Sequence, residues 1–296
     1  MLRIPFTKAQ GAGNDFLVIE SGPQVPLPSL DLRRLICDRH YGVGADGILF
    51  LTVPAGQPGA DADLRIFNSD GGEVEISGNG TRCAAAYLVD SGRCGKRLVI
   101  RTGAGPKLLQ LVAQQQNEFE FEMAMGAPVL APKAIPFSPA GSCPEPVVNF
   151  PLPLQSGDRR VTVTSMGNPH CSVLVEHFDW DWKTLGAEIE NHPYFPNRTN
   201  VEFLRPLSRH EIEVRFWERG VGFTLSSGTG SCGASVAAIL NKLAESPVTV
   251  KTLAGNLGVR WETEGVVLRG PAEIICRGEF FGRDESGVSG AVSSNL

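Results

Sequence analysis

The chain of 296 residues contains a repeat of itself. Residues 65–80 align without a gap on residues 215–230, an offset of 150 (215 − 65 = 150), and both segments end in Ser-Gly-x-Gly before an Ala-rich stretch. A shorter similarity, residues 13–15 against 167–169, lies at an offset of 154 (167 − 13 = 154). Because half the chain is 148 residues (296/2), the repeat predicts two homologous lobes. The identical pairs are Arg65/Arg215, Gly72/Gly222, Ser77/Ser227, Gly78/Gly228, Gly80/Gly230 and Ala84/Ala234.

Periodicity predicts a strand-dominated chain with few helices. Helical patterns cover Ser29–Arg39, Gly80–Val89 and Thr229–Leu243. The last two are rich in Ala and almost free of charge, and a helix that is apolar all round is buried, so each is predicted to run through the middle of its own lobe. The predicted strands are Gly47–Leu51, Leu64–Asn68, Arg97–Thr102, Glu118–Met123, Arg159–Thr164, Ser172–Val175, Val201–Leu204, Glu211–Trp217, Val248–Leu253, Val259–Glu262 and Ala272–Cys276.

Composition excludes several classes of function. A formal charge of −5, with Lys and Arg scattered, provides no basic stripe for nucleic acid. No apolar run approaches the ~18 residues of a membrane span, and the first residues show no signal-peptide core, so we expect a cytoplasmic protein without a membrane partner. The seven cysteines lack C-x-x-C spacing, which predicts reduced, mostly buried thiols and no metal site.

The two Ser-Gly-x-Gly segments each precede a predicted helix. Exposed N–H groups and the helix dipole make such a start an anion site, although Ser77 and Ser227 are also ordinary helix N-caps. A carboxylate bound between two such starts would have one serine side chain on either side of it. Inverting a stereocentre through a carbanion needs one group to take a proton from one face and another to return it to the opposite face. The repeat therefore favours epimerase or racemase chemistry.

Gly42-Val-Gly-Ala-Asp-Gly47 has the spacing G-x-G-x-x-G of a dinucleotide loop. That loop must follow a strand and open a helix, whereas this one follows a helical pattern and opens a strand. We interpret it as a helix-to-strand turn. Without a correctly placed phosphate loop, a nucleotide-binding domain is disfavoured, and we expect no cofactor.

Polar turns elsewhere hold candidate binding groups. The guanidinium of Arg219 can grip a carboxylate, and Glu218 or His170 can orient a polar partner. Asn197 is expected only to cap local backbone.

In order and throughout the chain, these motifs resemble diaminopimelate epimerase. The similarity extends from about residue 4 to 280. The segments that carry it are 11–16 (GAGNDF), 38–46 (DRHYGVGAD), 67–71 (FNSDG), 78–80 (GNG), 166–170 (MGNPH), 200–202 (NVE), 218–222 (ERGVG) and 228–230 (GTG).

The resemblance implies an α+β fold of two pseudo-symmetric lobes, each a barrel-like, mostly antiparallel sheet around a central helix. The N-terminal lobe would be residues 1–126, the C-terminal lobe 127–276, and a strand at about 277–296 would return to the first lobe. The implied activity is cofactor-independent interconversion of LL- and meso-2,6-diaminopimelate, on the route to lysine and peptidoglycan. The partner is then a small amino-acid substrate, and a homodimer is a further expectation.

The resemblance also assigns residues of the cleft between the lobes. Glu218 and His170 would lie beside the reacting centre, with Glu218 also contacting substrate. Backbone at Gly78, Asn79, Gly228 and Thr229 would receive the reacting α-carboxylate, and the distal amino-acid end would be held by Asn14, Asn68, Asn168, Asn200 and Arg219.

The sequence departs from the family at the catalytic positions. The family has cysteine as the acid/base group at both, whereas this chain has Ser77 and Ser227. A thiol near pKa 8.5 can be lowered to a usable thiolate at a helix start, but a serine hydroxyl is a far weaker acid. A second departure is Phe223, where the family more often has Glu.

Three explanations stay open for the serine pair. The first is an engineered inactive form. The second is a natural branch, in which Glu218 or His170 transfers the proton or a different reaction is catalysed. The third is a non-catalytic amino-acid-binding protein that keeps the cleft.

Overall fold

The computed structural model describes residues 2–56 and 58–282. The α-helices there are α1 (Leu30–Cys37), α2 (Gly78–Asp90), α3 (Trp182–Glu190) and α4 (Gly228–Leu240), with one 3-10 turn at Pro132–Ala134. The strands are β1 (Leu2–Gly11), β2 (Asn14–Glu20), β3 (Gly47–Thr52), β4 (Ala62–Asn68), β5 (Glu73–Val74), β6 (Arg97–Thr102), β7 (Gly105–Gln115), β8 (Glu118–Gly126), β9 (Phe150–Leu152), β10 (Arg159–Ser165), β11 (Pro169–Leu174), β12 (Asn200–Ser208), β13 (Glu211–Glu218), β14 (Gly222–Thr224), β15 (Val248–Thr252), β16 (Gly255–Glu262) and β17 (Gly265–Gly282).

The N-terminal half forms a closed barrel of eight strands. Its strands pair in the order β1, β2, β3, β4, β6, β7, β8 and β17, and β17 pairs back to β1. Only the β2–β3 and β4–β6 pairs are parallel. Helix α2 lies inside, where its Ala-rich faces are buried against the inward side chains of the strands. Closure leaves this sheet without an unpaired edge.

The C-terminal half repeats this plan. Its strands pair in the order β9, β10, β11, β12, β13, β15, β16 and β17, with β11–β12 and β13–β15 parallel. The chain leaving β8 adds a bridge between Val129 and Ser165 at the end of β10. Helix α4 is buried in this half as α2 is in the other. The predicted fold, two mixed α+β lobes each built around a central helix, is confirmed.

The long strand β17 joins the two halves. Its first part pairs with β16 on one side and β8 on the other, and its last part pairs with β1. Gly278 lies opposite Phe6, and Phe281 opposite Arg3, at the place where a strand was predicted to return to the first lobe. Residues 283–296 of that predicted segment lie outside the described residues.

Helix limits differ from the prediction at several ends: α2 spans Gly78–Asp90 rather than 80–89, and α4 begins at Gly228 rather than at 229. Helix α1 ends at Cys37 rather than at 39, because Asp38 takes an extended conformation. Helix α4 ends at Leu240 rather than at 243, where Asn241 caps it. Helix α3 was not predicted at all. It packs on the outside of the second barrel through Trp182, Leu185 and Ile189, as α1 packs on the outside of the first. None of the four α-helices in the described ranges is long and apolar enough to span a membrane.

Candidate active site

The two central helices begin in the same way. Ser77 and Ser227 are their N-caps, with φ/ψ of −136°/119° and −139°/126°. The N–H of Gly80 donates to Oγ of Ser77 at 3.1 Å, and the N–H of Gly230 donates to Oγ of Ser227 at 3.2 Å. Both helices have 13 residues. The repeat in the sequence therefore corresponds to a repeat in local geometry.

The two helix starts meet each other at Gly78 and Gly228. A Cβ built on Gly78 would lie 3.5 Å from Cα of Gly228, and one built on Gly228 would lie 3.4 Å from Cα of Gly78. Within the described chain, no hydrogen bond uses the N–H groups of Gly78, Asn79, Gly228 or Thr229. Four free donors and two helix dipoles thus converge at the junction of the lobes, which is an arrangement that suits a carboxylate.

Glu218 lies beside Ser227 at the end of β13. Oγ1 of Thr224 donates to Oε1 of Glu218 at 2.7 Å. Burial raises the pKa of Glu218 above its usual value, and the hydrogen bonds from Thr224 and Ser227 and the proximity of His170 oppose that rise. A carboxyl group with a raised pKa, next to a hydroxyl at a helix start, is suited to accepting and returning a proton.

His170 is the centre of a buried polar chain in β11. Its Nδ1 lies 2.6 Å from Oε1 of Glu202, and its Nε2 lies 2.9 Å from Oδ1 of Asn168. Oγ of Ser172 donates to the other oxygen of Glu202 at 3.3 Å. Burial raises the pKa of Glu202, and His170 acts against that rise. A Cβ on Gly233 would come within 3.0 Å of His170, so α4 packs directly against the imidazole.

Four of the residues predicted to hold the distal substrate end lie in turns or at the first position of a strand, and neighbouring groups fix them. Nδ2 of Asn14 donates to Asp46 at 2.7 Å. Asn200 donates through Nδ2 to the carbonyl of Pro169 at 2.9 Å and accepts from the N–H of Arg219 at 2.9 Å. Asn168 contacts His170, as described above. Asn200, Arg219, Asn168 and His170 therefore form one connected group in the second lobe.

Asn68 stands apart from that group. It ends β4, where its backbone pairs with Gly71 and Gly72, and no hydrogen bond between described residues links its side chain to the others. At the offset of 150, Asn68 is the counterpart of Glu218 (68 + 150 = 218). The first lobe thus has a neutral amide at the position where the second lobe has a carboxyl group.

The seven cysteines occur outside the two helix-cap positions, and those in the described chain are free. Burial raises the pKa of Cys83 and of Cys232 to about 12, which leaves both as neutral packing groups. No group of three or more His, Cys, Asp or Glu side chains within residues 2–56 and 58–282 could hold a metal ion. The turn at 42–47 links α1 to β3 and so is the predicted helix-to-strand turn.

Two residues of the site, Glu202 and Glu190, were not predicted from the sequence. Glu202 belongs to segment 200–202, which is one of the segments that carry the family resemblance. Its contact with His170 depends on the parallel register of β11 and β12. Glu190 of the unpredicted helix α3 accepts from the N–H of Gly220 at 2.8 Å and from Nε1 of Trp217 at 2.8 Å, and it so fixes the turn that follows Glu218.

Comparison with solved structures defines the class of fold. A hydroxyproline epimerase from Agrobacterium vitis superposes with a TM-score of 0.70 at 15% identity, covering 97% of this chain and 94% of that one. A methylitaconate-delta-isomerase superposes with a TM-score of 0.65 at 16% identity, covering 99% and 98%. At such identities the likeness concerns the fold alone, a two-lobed fold with a helix inside each sheet.

Sequence comparison defines the family. The sequence model of diaminopimelate epimerase matches residues 6–131 and 162–275. A diaminopimelate epimerase of Pelotomaculum thermopropionicum is 41% identical over 280 residues, covering 93% of this chain and 98% of that protein. One from Synechococcus sp. (strain JA-2-3B'a(2-13)) is 42% identical over 289 residues, covering 95% and 99%. The chain belongs to the diaminopimelate epimerase family.

Proposed function

We propose that this chain binds 2,6-diaminopimelate between its lobes and interconverts the LL and meso forms without a cofactor, with Ser77 and Ser227 on opposite faces of the reacting carbon. The observation that carries the proposal is the meeting of two equivalent Ser-capped helix starts at Gly78 and Gly228. A carboxylate at that junction would receive N–H groups from both lobes, and the α-carbon next to it would face one serine on each side. The names of the relatives supply the substrate.

The reaction then consists of two proton transfers. The α-proton leaves as H⁺ to a group on one face, the electron pair stays on the α-carbon next to the carboxylate, and a proton from the opposite face restores the bond. The helix starts stabilise the negative charge that develops between the two steps. The product differs from the substrate only in the configuration of that carbon.

The groups that could assist proton transfer differ between the Ser77 side and the Ser227 side. Ser227 lies beside Glu218, which can take up or supply the proton that the hydroxyl relays. Among the described residues, no carboxylate forms a hydrogen bond with Ser77. Because a serine hydroxyl is a far weaker acid than a thiol, we expect turnover well below that of a chain with cysteine at both positions.

A second candidate is an amino-acid-binding protein of the same fold without turnover. The hydrogen bonds from the N–H groups of Gly80 and Gly230 favour it, since they give each serine the ordinary role of a helix cap. Binding without proton exchange would be its signature.

Solvent deuterium separates the two candidates. The protein is incubated with LL-2,6-diaminopimelate in D₂O, and deuterium at the α-carbon and the appearance of the meso form are followed, with calorimetric binding measured in parallel. Exchange above the buffer rate supports the epimerase. Binding without exchange supports the binding protein, and absence of both overturns the proposed substrate.

A gain-of-function variant makes the test sharper. The double substitution Ser77→Cys with Ser227→Cys is expected to raise the exchange rate by at least about 100-fold, the scale of a positioned acid/base group. The matched control is Ser91→Cys at the far end of α2, which leaves both caps intact. If the double variant binds substrate but exchanges no faster than the control, the two positions are not where protons are transferred.

A further inference from the structure

Arg82 is a fully buried arginine in the second turn of α2. Its Nη2 donates to Oδ1 of Asn79 at 2.6 Å, and its Nε donates to the carbonyl of Pro271 in β17 at 3.1 Å. Its Nη1 has no hydrogen-bond partner among the residues that the structure describes. A Cβ on Gly270 would lie 2.9 Å from Cζ of Arg82, so β17 is shaped to admit the guanidinium. The charge therefore lies one side chain away from the anion-binding start of α2.

No described residue neutralises the positive charge of Arg82. In the part of the chain that the structure describes, no carboxylate forms an ion pair with it. Burial lowers its pKa to about 10, which leaves it charged at neutral pH, and the thiols of Cys83 and Cys232 near it are neutral there. A buried, unpaired cation is costly for a fold, and its retention at a binding site calls for a function.

The second lobe has no such cation at the equivalent place. Cys232 is the counterpart of Arg82 (82 + 150 = 232), and the groups around the start of α4 are the carboxyl of Glu218 and the His170–Glu202 pair. One face of the cleft is thus cationic and the other contains two carboxyl groups. The repeat preserves the helix geometry while the electrostatics of the two halves differ.

We propose that Arg82 is a positioning residue that makes the start of α2 the cationic half of the site, so that an acidic group at position 77 ionises more readily than the same group at position 227. Through Asn79 the guanidinium also supports negative charge on a carboxylate bound at the α2 start. The two positions then differ in protonation. An acidic group at position 77 is the one that loses its proton, and an acidic group at position 227, beside Glu218, stays protonated.

Other charges near the start of α2 do not account for this asymmetry. Glu75, two residues before Ser77, is exposed, so solvent screens it, and its sign opposes the effect. Asp15 acts on Cys83 of the same helix, but Lys8 and Arg39 pair with it. Across the cleft are Glu218 and His170. Arg82 is the cation that lies on α2 itself.

The inference rests on the proposed function because it concerns the same site, but its test needs no substrate. Ser77→Cys and Ser227→Cys are made separately, and the pH dependence of alkylation of the introduced thiol by iodoacetamide is followed by mass spectrometry of its peptide. We expect the thiol at 77 to ionise at a pKa lower by at least about one unit than the thiol at 227. Failure of epimerisation would leave this measurement intact.

Arg82→Gln, added to each single variant, isolates the contribution of the guanidinium. It is expected to raise the pKa of the thiol at 77 by about one unit and to raise that of the thiol at 227 by clearly less. Arg82→Lys, which keeps the charge, is expected to keep most of the difference. A folded Arg82→Gln protein whose thiol at 77 titrates as before would overturn the proposal.

Glu218→Gln in the Ser227→Cys background covers the case in which Arg82→Gln does not fold. With the carboxyl group of Glu218 removed, the charged groups that remain are Arg82 at the start of α2 and the buried His170–Glu202 pair at the start of α4. The thiol at 227 should then still titrate above the thiol at 77. Equal values would assign the asymmetry to Glu218 alone and would overturn the role of Arg82.

Discussion

Nδ1 of His170 lies 2.6 Å from Oε1 of Glu202, and the two side chains are 0% and 1% exposed. The imidazole contacts a second acceptor, Oδ1 of Asn168, through its other nitrogen. Glu202 and Asn168 thus hold the imidazole from its two sides. The same contacts anchor Asn168 at the cleft.

Glu202→Gln should therefore be destabilising. It removes the carboxyl group that lies between Nδ1 of His170 and Oγ of Ser172, and leaving a buried polar group without its partner costs about 1–3 kcal/mol. Urea denaturation measures the free energy of unfolding. The matched control is Glu211→Gln, which breaks the partly exposed pair with Lys251 and should cost less than about 1 kcal/mol. Equal losses of unfolding free energy in the two variants would mean that the His170–Glu202 contact stabilises the fold no more than a partly exposed ion pair does.

Removal of either helix cap should cost similar free energy, because the two caps have nearly the same geometry. Ser77→Ala and Ser227→Ala each leave an N–H group of the first helical turn without its partner, at a cost of about 1 kcal/mol. Thermal and urea unfolding of the single and double variants measure this. Asp181→Ala, at the cap of the outer helix α3, provides a comparison outside the cleft. A cost near zero for one serine alone would show that its hydrogen bond does not stabilise the start of that helix.

The ion-pair cluster at Asp15 should make part of the stability dependent on acid. Burial acts to raise the pKa of Asp15, but hydrogen bonds from Arg39 and Lys8 and their charges outweigh it and lower the pKa to about 2 from 3.8. A lowered folded-state pKa means that the stabilisation is present above pH 3.8 and is lost as the pH falls through about 2. Asp15→Asn should cost about 1–2 kcal/mol at pH 7 and progressively less towards pH 2.

Asp31→Asn is the control for that titration, because Asp31 is 93% exposed and forms only a long contact to Arg34 at 3.9 Å. It should leave the acid-unfolding curve unchanged. An Asp15→Asn variant whose deficit persists undiminished at pH 2 would contradict the proposed linkage and would point to lost packing at the turn before β3.

The sequence predicted the parts of this site that are encoded within a dozen neighbouring residues. A Ser N-cap, two glycines and an Ala-rich run determine helices α2 and α4 locally, and their repetition at an offset of 150 indicates the two-lobed plan. Helix α3 gave no such signal, since it is short, contains Gly186 and acquires its stability by packing Trp182 and Leu185 on the barrel. Short helices owe most of their stability to such packing.

Contacts between strands that are distant in the sequence could not be predicted, for a different reason. His170 meets Glu202 because β11 and β12 pair in parallel with His170 opposite Asn200, and that register is set by the closure of the whole sheet. In the sequence, Arg82 likewise looks like an ordinary exposed arginine of a helix. Its burial depends on where β17 crosses α2, some 190 residues later, at Gly270 and Pro271.

The last prediction concerns Glu218, whose carboxyl group should be less costly to the fold when it is neutral. Burial raises its pKa, so its contribution to stability is full below the unfolded value near 4.5 and is lost as the pH rises through the folded-state pKa. Glu218→Gln removes that loss. Relative to the parent, the variant should gain stability between pH 4.5 and pH 8, by about 1 kcal/mol, since the hydrogen bond from Thr224 and the proximity of His170 offset part of the cost of burial.

Urea unfolding of Glu218→Gln and its parent across that pH range tests this, with Glu264→Gln in the exposed turn before β17 as the control that should show no trend. A gain in stability that accompanies a loss of deuterium exchange would mean that the fold tolerates an unfavourable carboxylate for the sake of proton transfer at Ser227. A variant that instead becomes less stable towards pH 8 would show that the hydrogen bonds from Thr224 and Ser227 outweigh the cost of burial, and Glu218 would then be a structural anchor of the turn.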